Sequence, residues 1–182
     1  REILQVENAS GTPVVIPPGQ TTIQSSENFL RTVFGMPPGK VHVSDISLER
    51  SMGGIAPVNR SLLHAATALH DENGRIQAVI SIDLDLQPLF NSLASSIGDE
   101  TEVRIANPDG DYLHHPQAER NFGFEFGNSQ RWQDEIPTLT IPAKSDDSPP
   151  RLQRISTQNE TIYALARRIG LNPQNPEKQL LL

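Results

Sequence analysis

The strongest structural signal of the sequence is "SLLHAATALHDENGRIQAVISIDLDL", residues 61–86. Two runs of strand-forming residues stand on either side of "DENG", in which Asn73 and Gly74 readily accept the positive φ of a tight turn. The pattern predicts a β-hairpin with one arm before this turn and one arm after it.

The residues that follow the hairpin predict a helix. Asp85 is a candidate cap, Pro88 lies in the first turn, and Gly98 ends the run. Apolar residues recur between these signals at helical spacing, at Leu86, Leu89, Phe90, Leu93 and Ile97. We therefore expect an amphipathic helix that leaves the last strand of the hairpin.

The residues that precede the hairpin predict further strands and one short helix. The arms "ILQV" and "PVVI" predict a hairpin in residues 1–15, and a loose helical pattern occupies residues 21–35. Clean alternation in residues 40–48 predicts a half-buried strand, and the aperiodic residues 49–61 predict a loop. Residues 1–84 together predict an antiparallel sheet of five strands with helical cover.

A second unit begins in the same way. "EVRIAN", the turn "PDG" and "DYLHHP" predict a hairpin, "RLQRIST" and "TIYALARRI" predict another strand pair, and "QLLL" predicts one more strand. A second sheet therefore occupies roughly residues 100–182. The predicted class is α+β, divided into one unit at residues 1–98 and another at residues 99–182.

Composition excludes several classes of function. The 22 acidic and 15 basic residues give a net charge of -7, and no long basic cluster is present, so we expect no nucleic acid partner. Without cysteine there is no disulfide, thiolate zinc site or thiol nucleophile. No apolar run approaches the ~18 residues of a membrane span. The ends, "REILQV" and "KQLLL", lead us to interpret the chain as a piece of a longer protein.

The segment "NPDGDYLHHPQAERNFGFEFG", residues 107–127, concentrates reactive side chains. Neighbouring residues on a strand point to opposite faces, so His114 and His115 do not easily share one metal ion with Asp109 or Asp111. The sequence contains neither an HExxH nor a GxSxG motif. We therefore predict no metal site, no cofactor and no catalytic residue.

This segment also carries a resemblance. "GDYLHHPQAERNFGFEFG", followed by "WQDEIPTL", resembles the signature of double Cache (PDC) domains, the PAS-like extracytoplasmic sensor domains of bacterial transmembrane receptors. Residues 39–90, from "GKVHVSDISL" to "DLDLQPLF", are similar to the strand, loop, hairpin and trailing helix of that family. The resemblance covers about residues 12–170.

The resemblance implies a non-enzymatic sensory domain built from two PAS-like lobes in the periplasm, each with a sheet of about five strands. The full-length protein would lie in the inner membrane, act as a homodimer and carry a cytoplasmic output module, for which we expect a histidine kinase. A diguanylate cyclase or a chemoreceptor is the alternative output. A second alternative is a non-enzymatic module that binds a periplasmic protein instead of a small molecule.

In PAS-like folds the ligand lies between the sheet and its cover, here in the first lobe. The candidate ligand-binding residues are polar residues on or beside apolar strands: His42, Ser44, Arg60, His64 and Asp83. A histidine pair there would also make the lobe sensitive to pH.

Each candidate also has a purely structural interpretation. The histidines would be edge-of-core residues bonded to backbone, Asp83 a solvated strand end and Arg60 a surface charge. The chain also departs from its relatives, because His64 and Glu27 stand where they often carry arginine. Losing two cations weakens the case for recognition of a carboxylate or an amino acid.

Overall fold

The computed structural model describes residues 4–8, 11–17, 27–51, 54–55, 60–98, 100–142, 150–156 and 161–182. The strands in these residues are β1 (Gln5–Glu7), β2 (Val14–Ile16), β3 (His42–Val43), β4 (Ser47–Leu48), β5 (Arg50–Ser51), β6 (Gly54–Ile55), β7 (Ser61–His70), β8 (Ile76–Asp85), β9 (Ile105–Ala106), β10 (Tyr112–His114), β11 (Gln153–Ser156), β12 (Thr161–Ala164), β13 (Arg168–Gly170) and β14 (Gln179–Leu181). The helices are α1 (Glu27–Phe34), α2 (Gln87–Ser95) and the single turn α3 (Trp132–Glu135), with 3₁₀ turns at Ala118–Arg120 and Gly123–Phe126.

The predicted central hairpin is confirmed, since β7 and β8 pair in antiparallel fashion along almost their whole length. Asp71 closes the turn: its Oδ1 accepts the backbone N–H groups of Asn73 at 2.9 Å and Arg75 at 2.8 Å. Gly74 has a φ of 77°, as the turn requires. The Asp71 carboxylate thus satisfies backbone donors at the point where the ladder ends.

β7 is the centre of the first large sheet. β8 pairs with one edge of β7, and β3 and β4 pair in sequence with the other edge. The single strand predicted at residues 40–48 is therefore interrupted between β3 and β4. At the interruption the Ser44 hydroxyl, in place of a backbone carbonyl, accepts the N–H of His64 at 3.0 Å. The prediction of a structureless loop at residues 49–61 was wrong in part, because β5 pairs with β6.

The N-terminal hairpin is confirmed as a local element, with Val6 opposite Val15. β1 and β2 form a two-stranded sheet of their own and do not join the sheet around β7. Within the described residues, that larger sheet consists of β3, β4, β7 and β8.

The second large sheet has the strand order β10-β9-β14-β13, and its pairs are antiparallel. "TIYALARRI" is divided between two sheets, because β12 pairs with β11 whereas β13 pairs with β14. The hairpin of β9 and β10 and the final strand β14 are confirmed. The predicted α+β class with antiparallel sheets is thus confirmed.

One hydrophobic core joins the two large sheets. Its members from the first part of the chain are Val43, Ile46, Leu48, Leu63 and Phe90, and those from the second part are Val103, Ile105, Leu113, Phe122 and Leu180. A smaller cluster on the other face of β7 and β8 packs Phe29 and Val33 of α1 against Ala66 and Ala68.

The helix predicted after the hairpin is confirmed as α2, with Asp85 Oδ1 accepting the N–H of Gln87 at 3.0 Å. No helix among the described residues is long and apolar enough to cross a bilayer. The division of the chain between residues 98 and 99 stays a prediction.

Candidate functional site

Four of the five predicted ligand-binding residues lie together beneath α1. In the ladders His42 stands opposite Ala66, and His64 stands opposite Asp83, so these side chains share the face of the sheet that α1 covers. The ring of Phe29 lies over them, with its centroid 5.3 Å from that of His42 and 5.7 Å from that of His64. We call this group, His42, Ser44, His64 and Asp83 with Phe29, the α1 face.

His64 and Asp83 form a directly bonded pair, with 2.7 Å between His64 Nδ1 and Asp83 Oδ1. The hydrogen bond from His64 lowers the pKa of Asp83 more than burial raises it, and Ser81 Oγ adds a second bond. Asp83 is therefore ionised at neutral pH. The Nε2 atom of His64 has no hydrogen-bond partner in the part of the chain that the structure describes.

His42 is neutral at pH 7. Its pKa lies below the ordinary value, because burial disfavours the imidazolium and Lys178 repels it, while Asp45 opposes this in part. Lys178 reaches this region from the turn before β14 and bonds Asp45 Oδ1 at 2.5 Å. No local pattern could have shown this contact, because 133 residues separate the two partners.

The hydroxyl of Ser44 is already engaged by backbone. It donates to the Asp45 carbonyl at 2.6 Å and accepts the His64 N–H at 3.0 Å, while the Ser44 N–H bonds the His64 carbonyl at 2.9 Å. Ser44 therefore holds β3 against β7 at the α1 face and has little capacity left for a ligand.

Arg60 is not part of the α1 face. Its guanidinium forms a forked pair with Glu49, at 2.7 Å from Nε to Oε2 and 2.6 Å from Nη2 to Oε1. The hydrogen bond to Glu49 raises the pKa of Arg60 further. Glu49 is buried at 9 % exposure, so Arg60 balances a buried carboxylate instead of offering a free cation to a ligand.

The segment at residues 107–127 builds a different polar cluster. The buried Tyr112 hydroxyl donates to Glu135 Oε2 at 2.8 Å, and Arg120 Nη1 donates to the same oxygen at 2.7 Å. Burial alone would raise the pKa of Glu135, but the bond from Tyr112 and the charges of Arg104 and Arg120 outweigh it and lower the pKa. These contacts tie β10 to α3.

His114 and His115 lie in different surroundings. The His114 ring centroid is 6.2 Å from that of Phe90, whereas His115 packs against Tyr112 with centroids 4.7 Å apart. No group of three or more His, Asp or Glu side chains able to hold a metal ion occurs among the described residues.

The chain is similar in fold to sensory domains of known structure. A domain of a protein assigned to the sensory box/GGDEF family from Vibrio parahaemolyticus superposes with a TM-score of 0.71 at 13% identity, covering 98% of this chain and 63% of that one. The extracellular domain of vpHK1S-Z8, assigned as a histidine kinase, gives 0.70 at 12% identity, covering 98% and 60%.

The ligand-binding domain of the Pseudomonas aeruginosa amino acid chemoreceptor PctC, in complex with GABA, gives a TM-score of 0.54 at 14% identity, covering 98% of this chain and 69% of that one. No protein-family model and no curated protein matches the sequence. The chain spans 60% to 63% of the length of the first two domains. The chain thus shares the fold of these sensory domains, in agreement with the resemblance.

Proposed function

We propose that this chain is the periplasmic ligand-sensing domain of a transmembrane receptor, and that the receptor is a sensor histidine kinase. The alternative outputs are a diguanylate cyclase and a chemoreceptor, since the three similar structures come from a histidine kinase, a sensory box/GGDEF family protein and a chemoreceptor. The domain itself performs no chemistry. The receptor acts as a homodimer in the inner membrane, and ligand binding passes a conformational shift across the membrane.

The observation that carries this proposal is the arrangement at the α1 face. Two histidines and an ionised aspartate, which separate strands contribute, meet beneath one aromatic ring. The side chains are partly buried: those of His64 and Asp83 are 16% and 34% exposed. Such a half-open polar group under an otherwise apolar cover suits the recognition of a small molecule.

The charges of the α1 face favour a ligand with an amino group. Asp83 is its carboxylate, and the two cations whose charges act on the face are each paired with another acid, Lys178 with Asp45 and Arg60 with Glu49. GABA, the ligand of the PctC domain, carries an ammonium group. We propose that the ligand here is a small amine held by Asp83, with the free His64 Nε2 as an additional hydrogen-bonding atom.

A thermal-shift screen of amines, amino acids, organic acids, nucleosides and metal ions tests the proposal at neutral and mildly acidic pH. A ligand at a hundred times its Kd stabilises the domain by ~2.7 kcal/mol, which raises Tm by about 5–10 °C for this size. Asp83→Asn and His64→Ala should abolish the shift, whereas the matched Asp134→Asn change at an exposed site should preserve it.

Two results would contradict this function. An amine-induced shift that survives in Asp83→Asn would mean that the ligand binds elsewhere. If no compound shifts Tm, the domain binds a protein partner in the periplasm instead of a small molecule.

A further inference from the structure

A concave site lies where the two large sheets meet. A cleft of about 190 Å³ opens between the start of β3 and the turn that joins β13 to β14. Its polar lining comprises Lys40, His42, Asn172, Gln174 and Asn175, and the rest of its lining is apolar. We call it the junction cleft. Of the residues in the α1 face, only His42 also lines the junction cleft.

The side chains of the junction cleft offer hydrogen-bond donors. The oxygen of Asn172 accepts the N–H of Gln174 at 2.9 Å, and the oxygen of Asn175 accepts the N–H of Glu177 at 3.1 Å. Both carboxamides therefore keep their NH₂ groups for another partner. The Lys40 ammonium has no partner among the residues that the structure describes.

Among the residues that the structure describes, those lining the junction cleft include no carboxylate. The nearby carboxylate of Asp45 is already bound by Lys178 at 2.5 Å. An unpaired ammonium, a histidine and two carboxamide NH₂ groups without an opposing acid form a site for an anion. The volume is below the ~300 Å³ at which typical ligand pockets begin, which restricts the anion to a few heavy atoms.

We propose that the junction cleft binds a small organic carboxylate, with Lys40 as its charged partner and the carboxamides of Asn172 and Asn175 as additional donors. A bound carboxylate would contact residues on β3 and on the β13–β14 turn at once. It would thereby reinforce the ion pair of Lys178 with Asp45, which already connects these two parts of the chain. This site goes beyond the proposed amine site and does not require it.

His42 makes binding at the cleft dependent on pH. The titratable and charged groups around His42 are Lys40 in the cleft, Lys178 from the second sheet, Asp45 from its own segment, and the bonded pair of His64 and Asp83 on the α1 face. A carboxylate in the cleft favours the imidazolium, and the imidazolium in turn favours the carboxylate. The pKa of His42 lies below 6.5, so affinity for the anion should rise as the pH falls below about 6.5.

Calorimetric titration at constant ionic strength tests the proposal with propionate as the probe. Propionamide has the same shape without the charge, and it should bind at least about tenfold more weakly. Lys40→Met should weaken the binding of propionate about tenfold. Arg75→Met removes one positive charge at the exposed β7–β8 turn and should leave the affinity within about twofold.

Equal weakening by Lys40→Met and Arg75→Met would overturn the site, because it would show general attraction of anions to positive charge. The absence of saturable propionate binding by the unchanged domain, or weaker binding at the lower pH, would also overturn it. Asp83→Asn separates the two sites: it should abolish the amine response and leave propionate binding unchanged.

Discussion

Replacing Phe90 by alanine tests whether the two large sheets fold as one unit. Phe90 lies on α2 at 0% exposure, in the same core cluster as Leu63 of the first sheet and Ile105 and Leu113 of the second. Its ring also meets that of His114, with centroids 6.2 Å apart. The substitution therefore opens a cavity in a core to which both sheets contribute.

The expected cost follows from the volume removed. A buried Phe→Ala change destabilises by about 3–5 kcal/mol, because apolar contacts are lost and the cavity does not fully collapse. A domain of this size is stable by about 5–15 kcal/mol, so the variant would keep only part of its stability. The milder Phe90→Leu change should cost about 1–1.5 kcal/mol and remains informative if the alanine variant does not fold.

Urea unfolding followed by two signals measures the effect. Trp132 is the single tryptophan of the chain, and it packs against Ala106, Tyr112 and Leu181 of the second sheet. The fluorescence of Trp132 therefore reports unfolding of the second sheet, whereas circular dichroism reports unfolding of both sheets. The substituted residue itself lies in α2. We expect both midpoints to fall together. Leu89→Ala, on the same helix at 51% exposure, is the control and should cost under about 1 kcal/mol.

Cooperative unfolding of the two sheets is refuted if the Trp132 transition stays in place while the circular dichroism transition moves or divides. That outcome would show two units that unfold independently, as the predicted division at residues 98 and 99 would allow. A coincident shift would show that the shared core makes the two sheets cooperative.

Two further predictions concern buried polar groups. Burial lowers the pKa of His42, of His114 and of His115. The folded state therefore binds fewer protons than the unfolded state at mildly acidic pH. The free energy of unfolding should be largest above pH about 6.5 and should decline as the pH falls below that value. The urea midpoint at pH about 5.5 should therefore lie below the midpoint at pH about 7.5, and an unchanged or higher midpoint would contradict these pKa directions. Tyr112 is 1% exposed, and its hydroxyl donates a hydrogen bond of 2.8 Å to Glu135. Tyr112→Phe removes this bond and should lower the free energy of unfolding by about 1.5 kcal/mol. The cost stays at this level because Arg120 still bonds the Glu135 carboxylate. Equal urea midpoints for the two proteins would show that the hydroxyl contributes no net stability.

Much of the fold could be predicted because its signals are local. Asn73 and Gly74 mark a turn whatever the rest of the chain does, and Pro88 and Gly98 bracket α2 in the same way. The strand at residues 40–48 was predicted too long, since alternation does not show that the Ser44 hydroxyl would replace a backbone acceptor.

The candidate site could be predicted only in part. Alternation placed His42 and Ser44 on one face of a single strand, whereas β3 ends at Val43 and Ser44 lies in the interruption before β4. It could not show that Arg60 would be bound by Glu49, or that Phe29 would lie over both histidines. These contacts depend on which strands become neighbours, and that is a property of the whole packed chain.

The sequence by itself determined the turns, the hairpins, the helix after β8 and the absence of thiol chemistry, because each depends on residue types within one short segment. Only the tertiary structure decided that both sheets share a core and that Lys178 reaches Asp45. It alone also showed a cleft lined by donors at their junction. Contacts between distant segments form only when the chain between them closes into a loop. Local sequence patterns do not show which distant segments meet, so these contacts could not be predicted from them.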